Sequence, residues 1–167
     1  MEYIIVPLDK SHDRKNFDCG VPVLNVYLQE RSGQDIRKYY STVFVAVEEV
    51  TDKVLGYYTL SNASVFLNNI PNSIQKKLPK YPDIPAIRLG RLAIDLSMQG
   101  KGLGSELIAD AVIRCVSNVS AWSMMIVDAK DDTAIAFYQK FGFEKLLDND
   151  KHLFIMRKEL EKFINSP

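Results

Sequence analysis

A glycine-rich turn between a β-type segment and an amphipathic helix constrains this chain more than any other feature. Residues 86–94 have the composition of a strand, residues 99–104 read Gln-Gly-Lys-Gly-Leu-Gly, and an apolar stripe at helical spacing starts at Leu103. Glycine permits backbone angles that a Cβ forbids, so successive amides at the helix start can converge on an anion. The turn therefore predicts a diphosphate site; an ordinary tight turn without ligand is the alternative.

Two other phosphate-binding motifs do not fit this turn. Gly100, Gly102 and Gly104 do not match the G-x-G-x-x-G spacing of dinucleotide-binding folds in any frame. A P-loop needs Ser or Thr directly after Gly-Lys, and here Gly102 follows Lys101. Neither a Rossmann fold nor a P-loop NTPase is predicted.

Six short segments rich in Val, Ile, Phe and Tyr predict the strands. They cover residues 3–6, 42–47, 54–62, 86–94, 123–129 and 152–157. The polar residues 48–53 have hairpin length, so the strands beside them should pair antiparallel. Helices are predicted over residues 21–38, 71–78, from 103 onward and over 132–141. This order favours a mixed α/β sheet over a regular alternation of strands and helices.

Composition limits the number of domains and the kinds of partner. A chain of 167 residues, 47% of them hydrophobic, can bury one ordinary core, so residues 1–167 are expected to form a single domain. Lys plus Arg and Asp plus Glu number 21 each, so any electrostatic attraction must come from local patches.

The ends of the chain and its two cysteines indicate its compartment. The N-terminal sequence MEYIIVPLDK lacks the features of a secretory signal, and no apolar stretch is long enough to span a bilayer. Cys19 and Cys115 do not suggest a disulfide framework, and Cys115 is expected to be a buried helix residue. We expect a soluble cytoplasmic protein with no membrane partner.

A second segment makes the chain resemble a known family. Residues 99–104 match the Q/R-x-x-G-x-G/A signature of the GNAT acetyltransferases. That family's later A-x-x-F-Y-x-x-F-G-F segment is matched by Ala134, Phe137, Tyr138, Phe141, Gly142 and Phe143. The resemblance implies an α/β GNAT fold with a central, mostly antiparallel sheet that is splayed between strands 4 and 5 and flanked by helices. It also implies an acetyl-CoA-dependent N-acetyltransferase.

The resemblance assigns roles to residues of both segments. In GNAT proteins the signature turn wraps the pyrophosphate of acetyl-CoA, which implies cofactor contacts at Gln99, Gly100, Lys101, Gly102, Leu103 and Gly104. Backbone N–H groups at Leu92, Ala93 and Ile94 are expected near the thioester carbonyl, and Phe137 is expected in the cofactor site. For Lys101, a solvated surface lysine is the alternative.

Tyr138 is the predicted catalytic acid, because the resemblance places it beside the sulfur of CoA. A phenol with an ordinary pKa of ~10 stays protonated at neutral pH and can donate to a thiolate. Without the motif, an aromatic residue at this helical spacing would more often belong to the core. No general base is evident, since His12 and His152 lie outside both motifs and are expected to be surface or structural residues.

Acidic residues after the fifth predicted strand are expected to act locally. Asp128, Asp131 and Asp132 are predicted to be loop and helix-capping residues rather than catalysts. No part of the sequence has metal-ligand spacing, so no metal is predicted.

Four shorter segments narrow the resemblance. Residues 17–20 (FDCG), 55–60 (LGYYTL), 88–93 (RLGRLA) and 127–131 (VDAKD) look like the GNAT toxins of bacterial toxin-antitoxin modules. Those toxins acetylate the amino group of aminoacyl-tRNA, block translation and are inhibited by a ribbon-helix-helix antitoxin. The expected partners are therefore aminoacyl-tRNA, such an antitoxin and a second copy in a homodimer.

A local basic excess agrees with an RNA substrate. Residues 72–102 contain six basic side chains (Lys76, Lys77, Lys80, Arg88, Arg91 and Lys101) and two acidic ones (Asp83 and Asp95), an excess of four. Of these, Lys76, Lys77, Arg88 and Arg91 are predicted to contact the tRNA backbone. A solvated surface is the alternative. The competing functions are an N-acetyltransferase for a small-molecule amine or peptide and a CoA-binding module without turnover.

Overall fold

The computed structural model describes residues 1–166, which contain one seven-stranded sheet. Its strands are β1 (Tyr3–Pro7), β2 (Thr42–Glu48), β3 (Val54–Phe66), β4 (Asp83–Ile94), β5 (Met124–Asp128), β6 (Glu144–Lys145) and β7 (His152–Met156). They hydrogen-bond in the order β1-β2-β3-β4-β5-β7-β6. The pairs β1–β2, β2–β3, β5–β7 and β6–β7 are antiparallel, and β4–β5 is parallel. The predicted mixed, mostly antiparallel sheet is confirmed, as is the hairpin between β2 and β3.

Six α-helices connect or follow the strands within residues 1–166. They are α1 (Pro22–Val26), α2 (Ser32–Arg37), α3 (Asn72–Gln75), α4 (Leu103–Val116), α5 (Asp132–Gln139) and α6 (Arg157–Asn165). A π-helical turn (Tyr27–Arg31) joins α1 to α2, and 3₁₀ turns (Leu67–Asn69 and Leu96–Met98) precede α3 and α4. Within residues 1–166, we find no helix that is both long and apolar enough to cross a membrane.

The contacts divide the chain into two compact units. Unit 1 comprises Met1–Ser61 and Gly90–Arg114, and unit 2 comprises Asn62–Leu89 and the chain from Cys115 onward. Both β3 and β4 contribute residues to each unit.

Aromatic packing defines the core of unit 1. The ring of Tyr57 lies edge-on to Phe17 at 5.5 Å and stacks on Tyr27 at 6.2 Å between centroids. All three side chains are at most 4% exposed. The predicted apolar stripe of α4 is also buried, and on the same helix Asp110 and Arg114, four residues apart, form an ion pair of 2.8 Å.

Unit 2 has its own core around β5. Four of the five residues of β5 are buried, and Met124 and Ile126 pack with Phe154 of β7. The pairing of β5 with β4 runs from Ala86↔Met124 to Leu89↔Val127, whereas β4 continues to Ile94. The end of β4 therefore has no β5 residue opposite it in this register, which is what the predicted splay between strands 4 and 5 requires.

The structure corrects several predicted bounds. The helix expected over residues 21–38 is interrupted by the π-helical turn, and Val23, an apolar residue of its first turn, is 73% exposed. Strand β3 extends to Phe66 because Val65 is buried in the core of unit 2, which outweighs the polar composition after Asn62. The helix predicted over residues 71–78 shortens to α3.

The last helix was missed, and Arg157, predicted to end a strand, starts it. Helix α6 has a strongly charged sequence and buries Leu160. Its ion pairs at helical spacing, Arg157–Glu161 at 2.9 Å and Glu159–Lys162 at 3.0 Å, are the signal that predicts a helix here.

Candidate active site

The glycine-rich turn leaves open space where a ligand could approach its backbone. It connects the 3₁₀ turn after β4 to α4 in unit 1. Gly100 and Gly102 have φ angles of +74° and +87°, which favour glycine, and a Cβ built on either residue would meet no atom within 4 Å. The positive φ angles account for these two glycines, and the open space beside them leaves room for an anion held by backbone amides at the start of α4. The residues present fit the diphosphate of acetyl-CoA.

The side chain of Gln99 is held by hydrogen bonds within unit 1. Its side-chain Nε2 donates hydrogen bonds to the carbonyl oxygens of Ile94 at 2.9 Å and Cys19 at 3.0 Å. Both amide hydrogens are thus used within unit 1, and the side chain ties the turn to the end of β4 and to the segment before α1. Gln99 shapes the turn, and its side-chain oxygen is the part that stays available.

A buried carboxylate, Asp95, fixes the backbone just before the glycine-rich turn. Asp95 is 4% exposed and accepts hydrogen bonds from the amide and hydroxyl of Ser97, at 3.0 and 2.7 Å, and from the amide of Asp18, at 3.0 Å. Burial alone would raise the pKa of Asp95, but these hydrogen bonds, assisted by Lys53 at 3.9 Å, lower the pKa overall. Asp95 is therefore ionised in the folded protein and joins two segments that are distant in sequence.

The other predicted residues of the turn differ in exposure. Lys101 is exposed, Gly104 lies half-buried in the first turn of α4, and Leu103 is 1% exposed. The side chain of Leu103 belongs to the core of unit 1, so only its backbone is available to a cofactor.

The end of β4 is packed tightly against β3 at Gly56. A Cβ at Gly56 would lie 3.1 Å from Cδ1 of Ile94 and 3.2 Å from both the carbonyl oxygen of Ala93 and Cδ2 of Leu103. Leu92 and Ile94 are half-buried and Ala93 is buried. Gly56 thus permits a close approach to the segment predicted to face the thioester, a role that its position in a strand could have suggested.

Tyr138 lies on α5 in unit 2 with its ring buried. It is 7% exposed, and its ring contacts Phe137 and Phe143 edge-on at 5.3 and 5.5 Å between centroids. Burial raises the pKa of Tyr138 to about 12. Within residues 1–166 the hydroxyl of Tyr138 forms no hydrogen bond. Every fully buried polar side-chain atom of these residues has a hydrogen-bond partner, so an unbonded hydroxyl oxygen must be partly accessible. Tyr138 is thus a core ring with a free proton donor.

Helix α5 starts as predicted at an aspartate cap. The side chain of Asp131 accepts a hydrogen bond of 2.8 Å from the amide of Ala134, and Asp132 lies in the first turn. Phe137 is half-buried and packs on Phe141 at 5.2 Å.

The four basic residues predicted to contact RNA have unequal surroundings. Lys76 and Lys77 follow α3 in unit 2 and are exposed. Arg88, also in unit 2, forms an ion pair of 2.8 Å with Asp128, which ends β5 and is not the loop or capping residue predicted. Arg91, in unit 1, lies with its guanidinium 3.6 Å from the ring centroid of Tyr27. Arg88 is therefore partly neutralised, whereas the charge of Arg91 is held in place by an aromatic ring.

The histidines and Cys115 have local structural partners. His12 Nδ1 accepts a hydrogen bond from the amide of Asp9, and His152 lies 3.0 Å from Asp148 and 3.6 Å from Asp128. Cys115 is 3% exposed, and burial raises the pKa of its thiol to about 12. The thiol is therefore an inert core group at neutral pH. Within residues 1–166 no cluster of three or more potential metal ligands occurs.

Comparisons with known proteins place the chain in a family. The family model described as an acetyltransferase (GNAT) domain matches residues 40–145. A protein of Mycobacterium tuberculosis named tRNA-acetylating toxin is 33% identical over 159 residues, which cover 94% of this chain and 93% of that protein.

Solved structures give the same result for the fold. AtaT complexed with acetyl-methionyl-tRNAfMet has a TM-score of 0.89 and 33% identity, covering 98% of this chain and 100% of that one. A tyrosine-to-phenylalanine mutant of AtaT, bound to the C-terminus of the antitoxin AtaR and to acetyl-CoA, has a TM-score of 0.82 and 28% identity, covering 98% and 99%. The family model matches more than half of the chain, and the relative named above is similar over nearly its whole length. This chain therefore belongs to the GNAT family of acetyltransferases.

Proposed function

We propose that this protein transfers the acetyl group of acetyl-CoA to the amino group of aminoacyl-tRNA and acts as the translation-inhibiting toxin of a toxin-antitoxin pair. The observation that carries the proposal is similarity over nearly the whole chain to a tRNA-acetylating toxin and to AtaT in complex with an acetylated aminoacyl-tRNA. This similarity covers 94% to 98% of the chain, whereas the family model matches residues 40–145.

The turn at residues 99–104 is the proposed cofactor site. Backbone amides of Gly100, Lys101, Gly102, Leu103 and Gly104 would hold the diphosphate. Gln99 belongs to the same proposed set and keeps the turn in shape through its two hydrogen bonds. Amides of Leu92, Ala93 and Ile94 and the ring of Phe137 complete the proposed set. When bound, acetyl-CoA supplies an acetyl group activated as a thioester.

Tyr138 is the proposed general acid. Its phenol holds a proton at Oη throughout the physiological pH range because burial raises its pKa, and its oxygen is accessible and unbonded within residues 1–166. Acyl transfer needs a proton for the departing sulfur, which this group can donate. No strong base is needed for the acceptor, since an α-amino group with a pKa of ~7.7 to 8.0 is substantially neutral at cellular pH.

The proposed contacts to the tRNA backbone are Lys76, Lys77 and Arg91. Arg88 is a weaker contact because Asp128 already pairs with it.

We further propose that residues 1–167 act as one acetyltransferase domain, since the family model includes parts of both units. The proposal includes a cytoplasmic location, a homodimer and inhibition by a ribbon-helix-helix antitoxin. Inhibition by an antitoxin is supported by the structure of AtaT bound to the C-terminus of the antitoxin AtaR.

The test is acetyl transfer from labelled acetyl-CoA to purified charged tRNAs, with uncharged tRNA, polyamines and peptides as alternatives. We expect label on charged tRNA alone, and an apparent affinity for tRNA that falls steeply with salt. Labelled polyamines or peptides with inert charged tRNA would instead establish a small-molecule or peptide acetyltransferase. Binding of acetyl-CoA without transfer to any acceptor would indicate a non-catalytic module.

A further inference from the structure

The longest stretch without acidic residues in the middle of the chain carries a surface that the acetyl-transfer site does not use. Residues 53–82 contain four lysines and no Asp or Glu, although the whole chain is electrically balanced. Within this stretch, unit 2 has an open groove of about 480 Å³. Its lining includes Phe66, Asn68, Asn69, Lys80, Tyr81 and Pro82.

Two aromatic rings in this groove are exposed to solvent. Phe66 is 65% exposed and Tyr81 is 72% exposed. Single exposed aromatics are common, but two that line one groove with amide side chains and a lysine form a defined chemical surface. The surface offers rings for stacking, amides for hydrogen bonds and a positive charge.

The backbone of the groove is held in place without a ligand. The amide of Leu67 donates to the carbonyl of Pro82 at 2.9 Å, which fixes the chain beside Phe66 and the chain beside Tyr81 against each other. The amide of Leu147 donates to the carbonyl of Asn69 at 2.8 Å, and Ile70 beneath it is fully buried. A preformed groove loses little conformational entropy when it binds a partner.

The side chains of the groove indicate which class of ligand it suits. Stacking rings next to lysines, with no carboxylate in the segment, suit an unpaired polynucleotide, whose bases stack and whose phosphates are anionic. Lys80 belongs to the groove, with Nζ 3.0 Å from the carbonyl of Gln75, and Lys76 and Lys77 lie exposed a few residues earlier in the chain. An acidic protein segment would satisfy the lysines but would leave both rings without flat partners.

We infer that the Phe66–Tyr81 groove binds unpaired nucleotides of the RNA substrate by stacking, with the nearby lysines contacting the phosphates. The inference rests on the proposed function, because it names a subsite for the same tRNA. It adds a contact made to bases rather than to the sugar-phosphate backbone.

The test measures binding of a fluorescent single-stranded RNA hexanucleotide and of uncharged tRNA, without acetyl-CoA. Phe66→Ala and Tyr81→Ala should each weaken binding about five- to 150-fold, the range for loss of one stacked base. Tyr81→Phe keeps the ring and should bind like the wild type. Phe163→Ala is the matched control, because Phe163 is similarly exposed at 59% and lies in α6.

Salt dependence separates stacking from charge. The ring variants should keep the wild-type slope of log affinity against log salt, because stacking releases no counterions, whereas Lys76→Ala and Lys77→Ala should each flatten it by up to ~0.7. Equal RNA affinity in Phe66→Ala, Tyr81→Ala and the wild type would overturn the inference. So would unchanged RNA affinity together with loss of dimer in sedimentation or of antitoxin binding, since the groove would then be a protein interface.

The two proposals fail separately. RNA binding is measured without acetyl transfer. If the wild type acetylates no charged tRNA, the proposed function is wrong, and the RNA affinities of the ring variants still decide whether the groove binds RNA. If the wild type acetylates charged tRNA and the ring variants show an unchanged KM for it, the function stands and the groove inference is wrong.

Discussion

The phosphate turn of unit 1 and helix α5 of unit 2 present their functional groups in opposite ways. In the turn, Gly100 and Gly102 expose backbone in open space, with no atom within 4 Å of a Cβ position. On α5, Tyr138 is 7% exposed, and its ring is surrounded by other aromatics. One region offers main-chain amides without side chains, and the other offers a single side-chain atom.

This difference predicts which mutations each region tolerates. A site made of amides is damaged by adding atoms, whereas a site made of one hydroxyl is damaged by removing an atom. If the turn binds acetyl-CoA and Tyr138 serves the chemical step, mutations should separate cofactor affinity from turnover.

Tyr138→Phe should have the largest effect. It keeps the packed ring and removes the proton donor, so kcat should fall about 10²- to 10⁴-fold with little change in acetyl-CoA affinity. Steady-state kinetics and calorimetric titration measure the two quantities. Tyr58→Phe is the control, because Tyr58 is a buried tyrosine of unit 1 whose hydroxyl bonds Asp110 at 2.6 Å. Full activity in Tyr138→Phe would return this residue to a packing role.

Gly102→Ala should weaken acetyl-CoA binding at least tenfold, because its methyl group would occupy the space in front of the amides. Alanine at positive φ also costs about 1–2 kcal/mol of folding free energy, so the control must carry the same strain. Gly142→Ala provides it, with φ of +95° in unit 2. Calorimetry should find reduced affinity in Gly102→Ala alone; equal affinities in the two variants would contradict the cofactor assignment.

Gly56→Ala should act on stability. Its methyl group would lie 3.2 Å from the carbonyl oxygen of Ala93 and close to two side chains, so the free energy of unfolding should fall by about 1–3 kcal/mol. Urea denaturation measures the loss. Because Gly102 has open space instead, its alanine variant should lose only the cost of backbone strain. A Gly56→Ala protein as stable as the wild type would show that the β3–β4 contact can relax.

The raised pKa of Tyr138 predicts a pH effect on stability that is restricted to alkaline conditions. Its pKa is about 12 when folded and ordinarily 10, so below pH 10 the phenol is protonated in both states and the stability is fully present. Between pH 10 and 12 the unfolded state loses its proton first, so stability should decrease by at most ~1.4 kcal/mol per pH unit from this group. Tyr138→Phe should reduce that slope in denaturation measured from pH 8 to 11, and an unchanged slope would mean that the phenol is solvated.

Local signals predicted the parts of the site that depend on local chemistry. The strand, glycine turn and α4 were found because backbone freedom and helical periodicity are properties of neighbouring residues, and the Asp131 cap was found for the same reason. The structural roles of Gln99 and Arg88 could not be predicted in this way. The partner of Gln99, Cys19, lies 80 residues away in sequence, and the partner of Arg88, Asp128, lies 40 residues away.

The sequence by itself determined the family, the order of strands and helices up to β7 except for the two-residue β6, which was missed, and the positions of the turn and of Tyr138. Only the tertiary structure decided that Gln99 supports the turn from within, that Asp95 stays ionised while buried, and that Phe66 and Tyr81 share a groove. The reason is physical. Backbone conformation follows from adjacent residues, whereas burial, pKa and side-chain partners depend on contacts between segments that are distant along the chain.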